Sequence, residues 1–343
     1  MAKRIGAYTV TLDRPVGIRA TAAIAGPKEG DGPLARYFDK ILPDELCDEK
    51  SWEKAENRLV HDTISLAVHK AGLQMEDIDC ITAGDLLNQS AGTTFGIREL
   101  NRPFLGLYGA CSTMGESLCV ASMLIDGGFA SNVVASASSH FCAAEKQFRF
   151  PLELGTQRPL TSTWTVTGDG AAVLSAGLHT GVCVTGFTIG KIVDMGITDA
   201  NNMGAAMAPA AVDTLLAHFR DTGHPTSYYD EIVTGDLGYI GRDLVMQMMA
   251  GENMPLSNYT DCGVRIFERE TQDTHSGGSG CACSAVTFAG YYYKEMQKGT
   301  YKRILFVPTG ALLSPTSIQQ GESIPGIAHA VVLEVFGEAK HKI

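Results

Sequence analysis

One stretch of the chain joins a candidate nucleophile to backbone able to hold an anion: Leu107-Tyr108-Gly109-Ala110-Cys111-Ser112-Thr113-Met114-Gly115. A short apolar run meets a tight turn at Gly109. Cys111 follows where Ser112, Thr113 and Glu116 predict capping of a helix of small residues, Ser117 to Ile125. The unpaired N–H groups and positive dipole end of such a helix draw a thiol toward its thiolate and stabilise a bound carboxylate or oxyanion. That chemistry serves a cysteine nucleophile or an anion pocket. A buried structural thiol is the third reading, since free cysteine is among the most buried residue types.

The elements that must position this turn read as alternating helices and strands. Residues 1–56 open on a β-like run, Tyr8 to Leu12, followed by a connection rich in Gly, Pro and Asp. From Ser51 the pattern is helical: Val60, Ile64, Ala67, Val68 and Ala71 recur at helical spacing, with Gly72 at the C-cap position. A buried strand, Asp79 to Ala83, then runs into Gly84-Asp85-Leu86.

The same order returns later. His61 to Leu86 aligns without a gap on Val212 to Leu237, matching Gly72 with Gly223 and Gly84-Asp85-Leu86 with Gly235-Asp236-Leu237. Ala110-Cys111-Ser112, its helix and the strand Asn132 to Ala137 likewise align with Cys281-Ala282-Cys283, a helix to Gly299 and the strand Arg303 to Val307. The changed offset implies an insertion of about twenty residues in the second half, within Gln247 to Gln272. A period this long means two fused similar domains, not an array. We read an α/β chain of two halves, 1–182 and 183–343, whose weakly polar strands need both faces covered.

Composition bounds the function. Formal net charge is −11 with a pI near 5.3, which argues against a nucleic-acid partner or a polybasic grip on anionic lipid. There is no segment of the roughly 18 apolar residues that a membrane span requires, and no signal-peptide pattern, so the protein is expected to stay where it is made. Nine scattered cysteines read as reduced thiols, and Cys281-Ala282-Cys283 is too close-set for half of a zinc site. No metal site and no cofactor are expected.

A two-half α/β chain with Gly109-Ala110-Cys111-Ser112-Thr113 at its first central helix resembles the thiolase-like superfamily of thiolases and ketoacyl synthases. Within it the likeness is nearest to the stage V sporulation protein AD family of spore-forming Firmicutes, and it runs almost end to end. It is carried by Ser51-Trp52-Glu53-Lys54-Ala55-Glu56, Ala83-Gly84-Asp85-Leu86, Ala137-Ser138-Ser139-His140, Glu145-Lys146-Gln147-Phe148-Arg149, Trp164-Thr165-Val166-Thr167-Gly168, Gly277-Gly278-Ser279-Gly280-Cys281 and Gln320-Gly321-Glu322-Ser323-Ile324-Pro325. The resemblance implies a layered αβαβα fold of two pseudo-symmetric halves, with a pocket where two central helices meet. It also implies binding of dipicolinic acid (pyridine-2,6-dicarboxylate), with its calcium, by a soluble subunit of a spore membrane channel complex. Uptake in sporulation and release in germination, a peripheral place on the spore inner membrane and a homodimer through the first-half sheet edge belong to the same implication.

Condensing chemistry needs a thiolate, a proton-handling partner and an oxyanion hole. Where ketoacyl synthases place a histidine after the second-half strand, this chain has Gly235-Asp236-Leu237, and an aspartate beside a thiol raises the thiol pKa. Ser279 stands where the superfamily asparagine is expected, and His275 offers only a partial match to the thiolase histidine turn. The expectation is therefore a non-catalytic receptor, with an acyl-transferring enzyme using Cys111 as the alternative and an interaction scaffold as a third reading. For a planar dianion the candidate contacts are Cys111, the Gly-rich turn with Gly278 and Ser279, His140, Asp236 and His275, with Lys146, Arg149 or Arg158 as cationic partner. Asp85 reads as a turn residue holding a strand end. The polar run Ser317 to Ser323 is either a partner surface or a lid over the cleft.

Overall fold

The computed structural model describes residues 3–147 and 158–337. Ten strands form one path through a large mixed sheet: β1 (Thr9–Ala25), β2 (Cys80–Gly84), β3 (Phe104–Gly106), β4 (Asn132–Ser139), β5 (Gly168–Ser175), β6 (Gly181–Ile189), β7 (Glu231–Thr234), β8 (Tyr259–Asp261), β9 (Arg303–Val307) and β10 (Gly326–Phe336). Their spatial order is β8-β7-β9-β10-β6-β1-β5-β4-β2-β3. Read outward from the β1–β6 pair, each half repeats the same arrangement, so β2 and β7, β4 and β9, and β5 and β10 are counterparts. The Gly-Asp-Leu pair found in the sequence follows the counterpart strands β2 and β7.

Among the helices of the layers, four matter most to the site: α1 (Trp52–Lys70), α2 (Thr113–Asp126), α3 (Met203–Thr222) and α4 (Cys281–Val286), the last continuing through a π-helical turn, Thr287–Tyr292, into Tyr293–Lys298. Ser51 caps α1 by accepting from the Lys54 N–H, and Gly223 ends α3 in the left-handed conformation at φ 69°. α1 covers β1, β4 and β5 on one outer face, and α3 covers β10 on the other. α2 and α4 lie between the half-sheets, where α2 touches β2, β4 and β10. Small residues make this layer possible. A Cβ at Gly170 on β5 would stand 2.3 Å from the Ala285 carbonyl of α4.

Three cores correspond to the layers. Ile64, Val68, Ile81 and Val134 bury α1 on the first half-sheet, Leu215, Phe219 and Ile232 bury α3 on the second, and Met114, Leu118, Val286 and Phe288 fill the middle. This is the thiolase-like αβαβα arrangement.

Two local expectations change. The first strand is far longer than Tyr8 to Leu12, because its ladder to β6 skips from Thr11 to Val16 and so absorbs Pro15, which cannot donate to a sheet. The second half's extra residues fall mostly between β8 and α4, where a short helix, Cys262–Arg265, and a long turn precede Cys281.

Candidate functional site

The parallel strands β2, β4, β7 and β9 deliver their carboxyl ends to one region between the halves. A cavity of about 220 Å³ opens there, walled by Tyr108, Ala110, Cys111 and Glu145 from the first half and by Asn201, Ser279, Gly280 and Leu313 from the second, with Ser162, Thr163 and Thr165 beside them. Cys111 lies in a 3-10 turn, Ala110–Ser112, that feeds α2. Ala110 is left-handed, φ 48°, and its carbonyl accepts from Thr113 Oγ1 at 2.6 Å and from Cys281 Sγ at 3.0 Å. Ser112 does not cap the helix as expected. Its hydroxyl instead donates back to the Gly109 carbonyl at 2.7 Å, which tightens the turn. The second half approaches so closely that a Cβ at Gly310 would lie 2.3 Å from Gly109 O.

Asp236, at the end of β7, is fully buried, and its charge acts on the neighbouring Cys111 thiol. Its Oδ2 accepts from the Gly280 N–H at 3.0 Å and its Oδ1 from Thr309 Oγ1 at 2.9 Å. Burial pushes its carboxyl up to about 7, against these hydrogen bonds. Burial also pushes the Cys111 thiol well above the ordinary range, and the Asp236 charge pushes it further. The sulfur therefore rests as a thiol at neutral pH, whatever the helix behind it offers.

Of the expected contacts, Cys111 and Ser279 line the cavity; Asp236 lies behind them, tied to Gly280, and Gly278 adjoins in a two-stranded ladder to Trp164–Thr165. The structure does not bring the other expected contacts to the cavity wall. His140 is wholly buried, with Nε2 2.7 Å from Glu45 O and Nδ1 accepting from the Ala143 N–H as cap of the short helix Phe141–Glu145. Lys146 pairs with Glu53 of α1 and lies 5.7 Å from the Trp52 ring. His275 Nδ1 sits 2.9 Å from Pro159 O and its Nε2 3.0 Å from Asp273 Oδ1. Arg158 contacts Asp273 and the Trp164 ring, and Arg149 lies outside the described residues. Asp85 holds its strand end as read, accepting from Leu87 N and Thr93 N at 2.7 Å each.

Sequence reasoning missed Asn201, Thr165, Glu145 and Tyr108 as cavity residues. Tyr108 lies in the Cys111 turn and Glu145 and Thr165 in motifs that carry the family resemblance, whereas nothing local marks Asn201, which tertiary packing of the loop before α3 carries in. Ile318 puts the run Ser317 to Ser323 on the cavity side. Among the described residues no histidine, Lys or Arg lines the cavity, and no group of three or more His, Cys, Asp or Glu is placed to hold a metal.

Comparison with known proteins decides the family. The family model for stage V sporulation protein AD matches residues 6–334. The chain is 46% identical over 338 residues to stage V sporulation protein AD of Bacillus subtilis (strain 168), covering 98% of this chain and 99% of that one. The chain belongs to the stage V sporulation protein AD family. Solved structures similar to this family member include 3-oxoacyl-[acyl-carrier-protein] synthase III from Aquifex aeolicus VF5, at TM-score 0.55 and 13% identity over 93% of this chain and 99% of that one. A point variant of OleA from Xanthomonas campestris matches at TM-score 0.60 and 14% identity over 94% and 99%. At such identities the likeness is one of fold, and it agrees with the layered architecture. No helix among the described residues is long and apolar enough to cross a membrane.

Proposed function

We propose that this sporulation-family protein is a receptor for dipicolinate, free or as its calcium chelate, and a non-catalytic subunit of a spore membrane channel complex that moves the ligand in sporulation and germination. The observation that carries the reading is the Cys111–Asp236 pair. A condensing enzyme needs a thiolate, whereas here burial first and the neighbouring Asp236 charge second keep the sulfur as a thiol. The cavity is also of a size for one substituted aromatic ring, and the hydroxyl-bearing residues Thr163 and Ser279 on its wall are suited to carboxylate oxygens.

Calorimetric titration with dipicolinate, with and without calcium, tests this. Saturable heat and a matching thermal upshift are expected, and neither signal at millimolar ligand rejects it. The position of Cys111 on the cavity wall at a left-handed turn favours the second reading, acyl transfer through Cys111. A Cys111-dependent mass adduct after incubation with an acyl-CoA is its signature. In the receptor reading the protein is peripheral on the spore inner membrane and dimerises along the edge strand β3, where Leu105 is exposed. Light scattering of a Leu105→Glu variant checks the dimer.

A further inference from the structure

We propose that Tyr108 is the gate of the Cys111 cavity, and that the cleft outside it is the antechamber where an incoming small carboxylate first docks. That cleft, of about 480 Å³, is lined by Asn88, Gln89, Ser90, Ser314 and Ser317. The identity of the ligand rests on the reading above; the gate itself does not.

Two side chains, Tyr108 and Leu313, line both spaces and so form the wall between them. Leu313 is held. Its N–H donates to Ala311 O at 3.0 Å, the neighbouring Leu312 N–H donates to Pro325 O at 2.8 Å, and the side chain is buried. The backbone at Tyr108 is held as well, by Leu107 N–H to Ala83 O at 2.9 Å and by Gly109 N–H to Thr113 Oγ1 at 3.2 Å. Gly310 pressed against Gly109 O leaves that segment no room to shift.

Only the ring of Tyr108 is unpinned. The residue is 49% exposed at its outer side while burial of its phenol end pushes that group's pKa up to about 12, and among the described residues it has no hydrogen bond, ring contact or cation contact. A wall with fixed backbone and one loose aromatic side chain opens by a rotamer change, and exposed side chains make such changes without any loop movement. The outer cleft complements this. Its described lining carries hydroxyls and amides and no carboxylate, so it offers an anion donors without trapping it. Gln89 and Ser90 are both left-handed, φ 56° and 51°, a conformation that L residues rarely adopt.

Cys111 reports the gate without any dipicolinate. Its alkylation by iodoacetamide, followed by peptide mass spectrometry on the full chain, reads how often the cavity opens. Tyr108→Ala is expected to label on the order of tenfold faster than the parent, Tyr108→Phe at the parental rate, and Tyr108→Trp more slowly. Parental Cys111 rates in both the alanine and tryptophan variants overturn the gate. If the alanine variant does not fold, an unslowed tryptophan variant alone overturns it, and slowing there supports it. Stopped-flow binding of dipicolinate should show the same order of association rates. A silent titration with normal gating of Cys111 removes the ligand and keeps the gate, so the two failures are separable.

Discussion

Cys111 and Asp236 lie buried beside each other across the boundary between the two halves of the chain, and the Asp236 charge adds to burial in raising the thiol pKa. The arrangement inverts the usual activation of a cysteine at a helix start. Replacing the carboxylate by its uncharged isostere, Asp236→Asn, removes the charge that disfavours the thiolate; its single carbonyl oxygen keeps the acceptor for the Gly280 N–H, while its amide donates to the Thr309 hydroxyl, which rotates to accept. The Cys111 pKa should fall, though burial, the larger cause, holds it above the ordinary thiol range. The pH profile of Cys111 alkylation in the variant is therefore expected to move to lower pH. An unmoved profile means that burial alone controls the sulfur.

The same burial makes stability depend on pH. Asp236 titrates at about 7 and Glu29 at about 8 in the folded chain, both above their unfolded values near 4. Between those limits the native state holds protons that the unfolded state has released, so stability falls as pH rises, by about 1.4 kcal/mol per pH unit for each such group. His218 and His329 act oppositely, since burial lowers each to about 4 and stability falls as pH drops from 6.5 toward 4. From pH 6.5 to 8 the histidines no longer contribute. Thermal melts across that window should decline, and Glu29→Gln should flatten the decline. A flat parental curve contradicts the buried-acid account.

His140 gives a prediction of the opposite kind. Both ring nitrogens are spent on backbone, at Glu45 O and the Ala143 N–H, so the ring fastens residues 45 and 143 and makes no wall of the cavity. His140→Ala should cost about 1–3 kcal/mol of stability through the lost cap and the orphaned carbonyl. Dipicolinate affinity, measured by calorimetry below the variant's melting range, should stay at the parental value. Lost affinity at unchanged stability would place the imidazole in the site after all.

The two-half architecture was legible because each half repeats a helix, a buried strand and Gly-Asp-Leu, and the counterparts Asp85 and Asp236 end counterpart strands. The rest of β1 was not, because Asp13-Arg14-Pro15 reads as a loop and only the irregular pairing to β6 accommodates it. Within the site, Cys111 and Asp236 stood out through a local turn and through the repeat. His140, Lys146 and His275 misled for a shared reason: their partners, Glu45, Glu53 and Asp273 with Pro159, are fixed by packing between segments, which residue type alone does not reveal.

Glu145 provides the sharpest electrostatic test of the receptor reading. It is the charged residue on the described cavity wall, at the end of the short helix after β4, and its Oε1 accepts from Thr165 Oγ1 at 2.9 Å. A free dianion entering that cavity meets this carboxylate at close range in a medium less polarisable than water, where like charges repel more strongly. Glu145→Gln keeps the acceptor for Thr165 and removes the repulsion. Free dipicolinate should therefore bind several-fold more tightly to the variant, with the gain shrinking as salt is raised. The calcium chelate carries no net charge and presents a cation with open oxygen positions, so its affinity should hold or fall in the same variant. Parallel titrations with the two ligand forms separate these outcomes, and an identical response to both would mean that the ligand sits out of reach of Glu145.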